Sequence, residues 1–171
     1  MNKILDQLPY SNERGLVLVQ GQSIPVMAHP IIVWVAISVK DTIRLPESVS
    51  CIPAILDTGN TFGFSIAESQ LIEWTGLRAD SLEVLGPMLI NRQELNRHAA
   101  DVWLCRNQRG KRDVFQDEPF RLELRDGIAI YPSDRPIASP RLPLLGLRAI
   151  DENGLRCTIN GKNRRVSLSA S

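Results

Sequence analysis

The stretch PAILDTGNTFGFSI, from Pro53 to Ile66, places an acidic residue at the end of an apolar run. Residues 53–56 have the composition of a short buried strand, and Asp57 follows them directly, ahead of Thr58 and Gly59. Asp-Thr-Gly is also ordinary turn chemistry, because Asp accepts hydrogen bonds from its own backbone and Gly adopts positive φ. The stretch alone therefore leaves two interpretations open: a turn former, or a partly desolvated acid placed for chemistry.

The rest of the chain has the composition of one globular domain. Its 171 residues are enough for a single core, and 43% apolar with 23% charged residues is typical of a globular protein. A formal charge of +1 gives no strong electrostatic field that would attract nucleic acid. The longest apolar run, Ile31 to Ile37, is too short to span a membrane. We expect a cytoplasmic protein whose partners include neither nucleic acid nor membrane.

Cysteine and histidine do not form a recognisable ligand pattern. Cys51, Cys105 and Cys157 are widely spaced and odd in number, which fits neither a disulfide framework nor a metal knuckle. We expect three buried or idle thiols in a reducing compartment. His29 and His98 have no second ligand at metal-binding spacing, so the sequence predicts neither a metal nor another cofactor.

Short runs rich in Val and Ile, separated by Gly, Pro and Asp, continue through most of the chain. Residues 15–39 have strand composition, and apolar and polar residues alternate in ADVWL (100–104) and FRLEL (120–124). Residues 155–160 and 164–169 are predicted to form a closing hairpin. Together these runs predict an all-β barrel or sandwich.

One domain is expected over residues 15–171. Within it, a short helix is predicted at Ala67 to Trp74, with Gly76 as its stop. Residues 1–14 are predicted to be an N-terminal arm that can be loose.

Two other hydrolytic chemistries fit this sequence poorly. Residues 63–67, GFSIA, are an incomplete nucleophile elbow, since Ala67 stands where a glycine is needed, and an elbow also requires a large parallel sheet. A phosphate-transfer site built on Asp57 would require a second acid two residues on, where Gly59 stands. Both chemistries are therefore disfavoured.

Residues 54–59, AILDTG, resemble the apolar-Asp-Thr/Ser-Gly sequence of the retroviral-type, or retropepsin-like, aspartic proteases. That family carries a second element late in the domain, in which two apolar residues and a glycine precede a short helix. Leu144, Leu145 and Gly146, followed by LRAI, are similar to this element, and Gly146 comes 89 positions after Asp57 (146 minus 57). The resemblance implies a retropepsin-like closed β-barrel or sandwich with one short helix near the C-terminus.

The same resemblance implies an activity, the hydrolysis of peptide bonds in a peptide or protein substrate. Aspartic proteases activate water between two carboxylates that share one proton. Because the sequence contains one Asp-Thr-Gly, the implied active form is a homodimer in which each chain contributes one Asp57 as catalytic residue. Thr58, Gly59 and the strand of residues 144–146 would support the site.

A hairpin that covers the substrate is predicted within Met88 to Leu104, with its tip near residues 91–94. The predicted substrate-binding residues are Asn60, Ile90, Asn91 and Arg92. Asn60 replaces the small residue usual after Asp-Thr-Gly in this family, and the predicted tip contains no glycine. These two differences leave an alternative function open: a catalytically inactive peptide-binding or assembly module of the same fold.

Overall fold

The computed structural model describes residues 2–90, 92–116, 118–133 and 142–171. Most regular structure within these residues is β, which confirms the all-β class. In chain order the strands are β1 Asn2–Pro9, β2 Gly15–Val19, β3 Gln22–Val26, β4 Ile31–Val39, β5 Ile52–Asp57, β6 Phe64–Ala67, β7 Val84–Ile90, β8 Gln93–His98, β9 Ala100–Leu104, β10 Phe120–Leu122, β11 Ile128–Tyr131, β12 Leu144–Gly146, β13 Arg156–Asn160 and β14 Arg165–Ala170. The helices are α1 Glu68–Thr75 and α2 Leu147–Glu152, and a 3-10 turn lies at Ala79–Ser81.

Nine of the described strands form one sheet, in the order β10-β9-β4-β5-β12-β6-β11-β8-β7. Strands β4 and β5 lie inside this sheet and have nearly continuous apolar sequences, because both of their faces are buried. Val33, Val35 and Ile52 are completely inaccessible to solvent. Asp57 therefore ends a strand that is anchored in the core.

The closed barrel expected from the sequence is not what the described strands form. Their large sheet is open and ends at β10 and β7. Strand β10, with three residues, and the mostly exposed β7 are the two edges of this sheet and do not pair with each other. Both helices lie within a residue or two of their predicted positions, and Gly76 ends α1 with a φ of 73°.

The N-terminal segment is a strand, which corrects the prediction of a loose arm. Strand β1 pairs antiparallel with β14, and Asn2 lies opposite Ala170. Ile4, Leu5 and Leu8 are each only 1% exposed, because they pack into the main core. The predicted C-terminal hairpin is confirmed as β13 and β14, which complete a three-stranded sheet with β1.

Cys51 and Cys105 form a disulfide, which corrects the prediction of three idle thiols. Cys51 precedes β5 and Cys105 follows β9, and both of these strands pair with β4. The bridge therefore joins the two neighbours of one central strand. Cys157 keeps a free, half-buried thiol, whose pKa is raised by that burial.

Candidate active site

Strand β12 lies between β5 and β6, the two strands that the Asp-Thr-Gly loop connects. Leu144 pairs with Ile55 of β5 in parallel register and with Ser65 of β6 in antiparallel register. The loop of residues 58–63 therefore joins two strands that are not direct neighbours and must pass over the end of β12. This arrangement brings the Asp-Thr-Gly sequence next to the Leu-Leu-Gly sequence of β12, although the two lie far apart in the chain.

Gly146 occupies the tightest point of this crossing. It lies beside Asp57 in the parallel register, and its backbone N–H donates to the carbonyl of Gly63 at 2.9 Å. The next N–H, that of Leu147, donates to the carbonyl of Asn60 at 2.8 Å. A Cβ at position 146 would lie 1.8 Å from the carbonyl oxygen of Phe62, so only glycine fits.

The loop backbone fixes the orientation of the Asp57 carboxylate. Its Oδ1 accepts a hydrogen bond from the N–H of Gly59 at 3.0 Å, and its carbonyl accepts one from the N–H of Asn60 at 3.1 Å. A Cβ on Gly59 would lie 3.2 Å from the same Oδ1. Asp57 is thus a turn former whose carboxylate is also half-buried.

Asn60 stabilises the turn with its side chain. Its Oδ1 accepts a hydrogen bond from the N–H of Phe62 at 3.0 Å, which closes the second half of the loop. This contact is the local Asx pattern that the residue type favours. Asn60 therefore shapes the loop in addition to lining the cavity beside it.

A cavity of about 310 Å³ opens between this loop and the hairpin of β7 and β8. Its lining residues come from the loop, from the end of β7 and from the β12–α2 segment: Asp57, Gly59, Asn60, Thr61, Phe62, Met88, Leu89, Ile90, Leu144 and Arg148. The hairpin side is apolar and the loop side is polar. A bound chain could therefore bury side chains against the hairpin while its backbone faces Asp57.

The hairpin that contributes to the cavity runs from Val84 to His98, not from Met88 to Leu104 as predicted. Residues 100–104 form the separate strand β9, which pairs with β4 on the other side of the sheet. The sequence prediction merged β8 and β9 because only Ala99 separates them. Ile90 packs against Phe62 and Leu95 in a small apolar cluster, which seats the hairpin on the Asp-Thr-Gly loop.

A charged cluster connects the hairpin with α2. Asp126 forms ion pairs with Arg97 of β8, at 2.9 Å, and with Arg148 of α2. The guanidinium of Arg148 also lies 5.8 Å from the centre of the Phe62 ring. One carboxylate therefore faces two guanidinium groups at the edge of the cavity, and their combined formal charge is +1.

The structure brings most of the predicted site residues together. Asp57, Gly59, Asn60, Ile90 and Leu144 line the cavity, and Leu145 and Gly146 are buried in β12 beside the loop. Thr58 and Arg92 are exposed and lie outside the cavity lining, and Asn91 lies outside the described residues. The lining residues that the prediction missed are Thr61, Phe62, Met88, Leu89 and Arg148. The sequence indicated these residues only by their position, since each lies within four residues of a predicted site residue.

The described residues contain no group of three or more His, Cys, Asp or Glu side chains placed to hold a metal ion. No helix within the described ranges has the length and apolarity needed to cross a bilayer. Comparisons with protein-family models, with curated proteins and with solved structures found no match to this chain.

Proposed function

We propose that this chain is a retropepsin-type aspartic endopeptidase that acts as a homodimer. The observation that carries the proposal is the register of Gly146 with Asp57, because it joins the two sequence elements that resemble the family. The Asp57 carboxylate is oriented by the loop backbone at a cavity partly walled by a hairpin. An oriented acid beside a cleft of suitable shape is what general acid and base catalysis requires.

The proposal includes a second copy of the chain, since the described lining of the cavity contains a single carboxylate. Two Asp57 side chains related by a two-fold axis would share one proton and hold a water between them. Thr58 is exposed in the isolated chain. In the proposed dimer its hydroxyl would contact the partner's loop. The two cavities would then join into one cleft that holds an extended peptide.

Chemistry in this dimer would need no cofactor. One Asp57 carboxylate would take a proton from the water as it attacks the peptide carbonyl, and the protonated partner would donate to the carbonyl oxygen. Gly59 keeps the loop backbone close to the carboxylate, and the apolar Met88, Ile90 and Leu144 offer surface for substrate side chains. The substrate would be a peptide or an unfolded segment of a protein.

The sequence predicted a cytoplasmic location, and the disulfide bears on that prediction. It relied in part on three free thiols, and the Cys51–Cys105 disulfide removes that support. Disulfides persist mainly in oxidising compartments. The catalytic proposal itself does not depend on the compartment.

The decisive experiment compares the wild-type protein with Asp57→Asn on a proteome-derived peptide library read by mass spectrometry. Asp57→Asn should abolish cleavage and leave the fold intact, because it removes the charge at nearly constant volume. Asp113→Asn, an exposed acid outside the cavity, is the matched control and should cleave normally. Equal cleavage by wild type and Asp57→Asn would exclude Asp57 as catalytic. Peptide binding without any cleavage by wild type would favour the inactive binding module instead.

A further inference from the structure

Arg148 is a charged cavity residue that peptide hydrolysis itself does not require. Among the described residues that line the cavity, it is the sole cation, and Asp57 is the sole anion. Its side chain is 37% exposed, although it is paired with Asp126. An arginine partly open at the wall of a cleft has N–H donors within reach of a bound ligand.

The ion pair with Asp126 does not neutralise this arginine. Asp126 also binds Arg97 at 2.9 Å, so a single carboxylate is shared between two guanidinium groups. Arg148 contacts Asp126 through Nη1, and a guanidinium carries further N–H donors on its other nitrogens. Asp126 and the Phe62 ring hold the side chain in place, because the guanidinium is bonded to the former and lies over the latter.

The geometry of this cluster points to a subsite for a carboxylate: we propose that Arg148 selects peptides carrying Asp or Glu close to the bond that faces Asp57. This inference rests on the proposed function and names its substrate class. A guanidinium binds carboxylates in a fixed fork geometry, and Asp126 and Phe62 already restrict its rotation. The apolar wall formed by Met88, Leu89 and Ile90 accepts the neighbouring apolar side chains of the same peptide.

The arrangement also explains why two arginines converge on one acid. If Arg148 alone paired with Asp126, the pair would be neutral and a substrate carboxylate would have to displace Asp126. Because Arg97 is also bound to Asp126, that carboxylate stays paired when Arg148 donates some of its hydrogen bonds to the substrate. Arg97 lies outside the cavity lining and so serves as a positioning residue.

The test uses two peptides that differ only by Glu or Gln at the acidic position found in the cleavage library. Wild type should cleave the Glu peptide with a kcat/KM higher by roughly tenfold or more, the range of one charge-assisted hydrogen bond. Arg148→Gln should bring the ratio close to one, whatever its effect on the absolute rate for the Gln peptide. Arg148→Lys, which keeps the charge, should retain part of the preference.

Two further variants separate this role from a general charge effect. Arg125→Gln changes the net charge equally beside the same cluster and lies outside the cavity lining, so it should keep the wild-type ratio. Asp126→Asn should lower the ratio although it adds positive charge, because Arg148 then loses the carboxylate that holds it in place. An equal rate for the two peptides in wild type, or an unchanged ratio in Arg148→Gln, would overturn the inference and leave the protease proposal standing.

Equilibrium binding distinguishes failure of the inference from failure of the proposed function. Wild type and Arg148→Gln are each titrated into two fluorescein-labelled pools of random peptides. One pool contains Asp and Glu, and the other contains Asn and Gln in their place. If no peptide is cleaved, tighter binding of the acidic pool that is lost in Arg148→Gln still supports the subsite. Equal binding of the two pools, or no binding of either, excludes the subsite whatever the enzyme activity.

Discussion

Gly146 lies beside Asp57 in parallel register, and a Cβ at position 146 would come within 1.8 Å of the Phe62 carbonyl oxygen. The position of the carboxylate thus depends on an atom missing from a residue 89 positions away (146 minus 57). Backbone atoms cannot move aside as a flexible side chain would. The Asp-Thr-Gly loop and β12 must therefore shift together when this contact changes.

Gly146→Ala should destabilise the protein and disturb the site. Overpacking against a rigid backbone reduces the free energy of unfolding by about 2 kcal/mol or more. Urea titration measures this change, and Gly161→Ala is the control, since a Cβ at position 161 meets nothing within 4 Å. Equal unfolding midpoints for the two variants would contradict the close packing at Gly146.

Thr58→Ala should weaken the proposed dimer before it affects chemistry. Loss of a buried hydrogen bond at the partner's loop costs roughly 1 to 3 kcal/mol. Activity should then fall at low protein concentration and return at high concentration, while sedimentation shows the dimer dissociating earlier. Thr158→Ala, on an exposed position of β13, is the matched control. A loss of activity that is independent of concentration would argue against a role for Thr58 between chains.

Replacing both Cys51 and Cys105 with Ser should lower the free energy of unfolding by about 4 kcal/mol. This value follows from the loss of loop closure in the unfolded chain for a bridge that spans 54 positions. Reductant should produce the same change in the wild type, while Cys157→Ser should have little effect. A wild-type unfolding midpoint that does not respond to reductant would show that the bridge is not formed in solution.

His98 should make the protein less stable in mild acid. Burial lowers the pKa of His98 in the folded state, partly opposed by a backbone hydrogen bond at Asn96 and by the charge of Glu68, so the unfolded chain binds the proton more readily. The stability from neutral His98 is complete above the ordinary pKa of 6.5 and is lost as the pH falls toward the folded value. His98→Gln should flatten the decline in unfolding free energy between neutral and mildly acidic pH. The control is His29→Asn, because Asn tolerates the φ of 76° at that position. If the unfolding free energy of His98→Gln declined with pH as steeply as that of wild type, His98 would not be the group responsible.

Elements with a local sequence signal were predicted well, and elements set by distant contacts were not. Strands β4 and β5 follow from continuous apolar runs, and Gly76 marks the end of α1. Strand β1 was missed because its register shifts twice and Gln7 adopts a φ of 51°, which breaks the alternation of apolar and polar residues. The disulfide was missed because Cys51 and Cys105 meet only through the order of strands in the sheet.

The candidate site shows the same division. Asp57 and Gly146 were identified from two short motifs, since each motif encodes a backbone shape that few residues permit. Arg148 was missed as a cavity residue because its placement depends on Asp126 and Phe62, which come from separate parts of the chain. No local pattern encodes a contact that three segments determine together.

The pairing of β1 with β14 also sets the order in which the molecule can fold. Asn2 meets Ala170, so this contact closes a loop of almost the entire described chain, and the entropy of closure must be overcome before the contact is gained. Topologies dominated by such distant pairings fold slowly. The apolar side chains of β1, among them Ile4 and Leu8, therefore stay exposed to water until the last strand arrives, and this interval is when the chain is most open to aggregation.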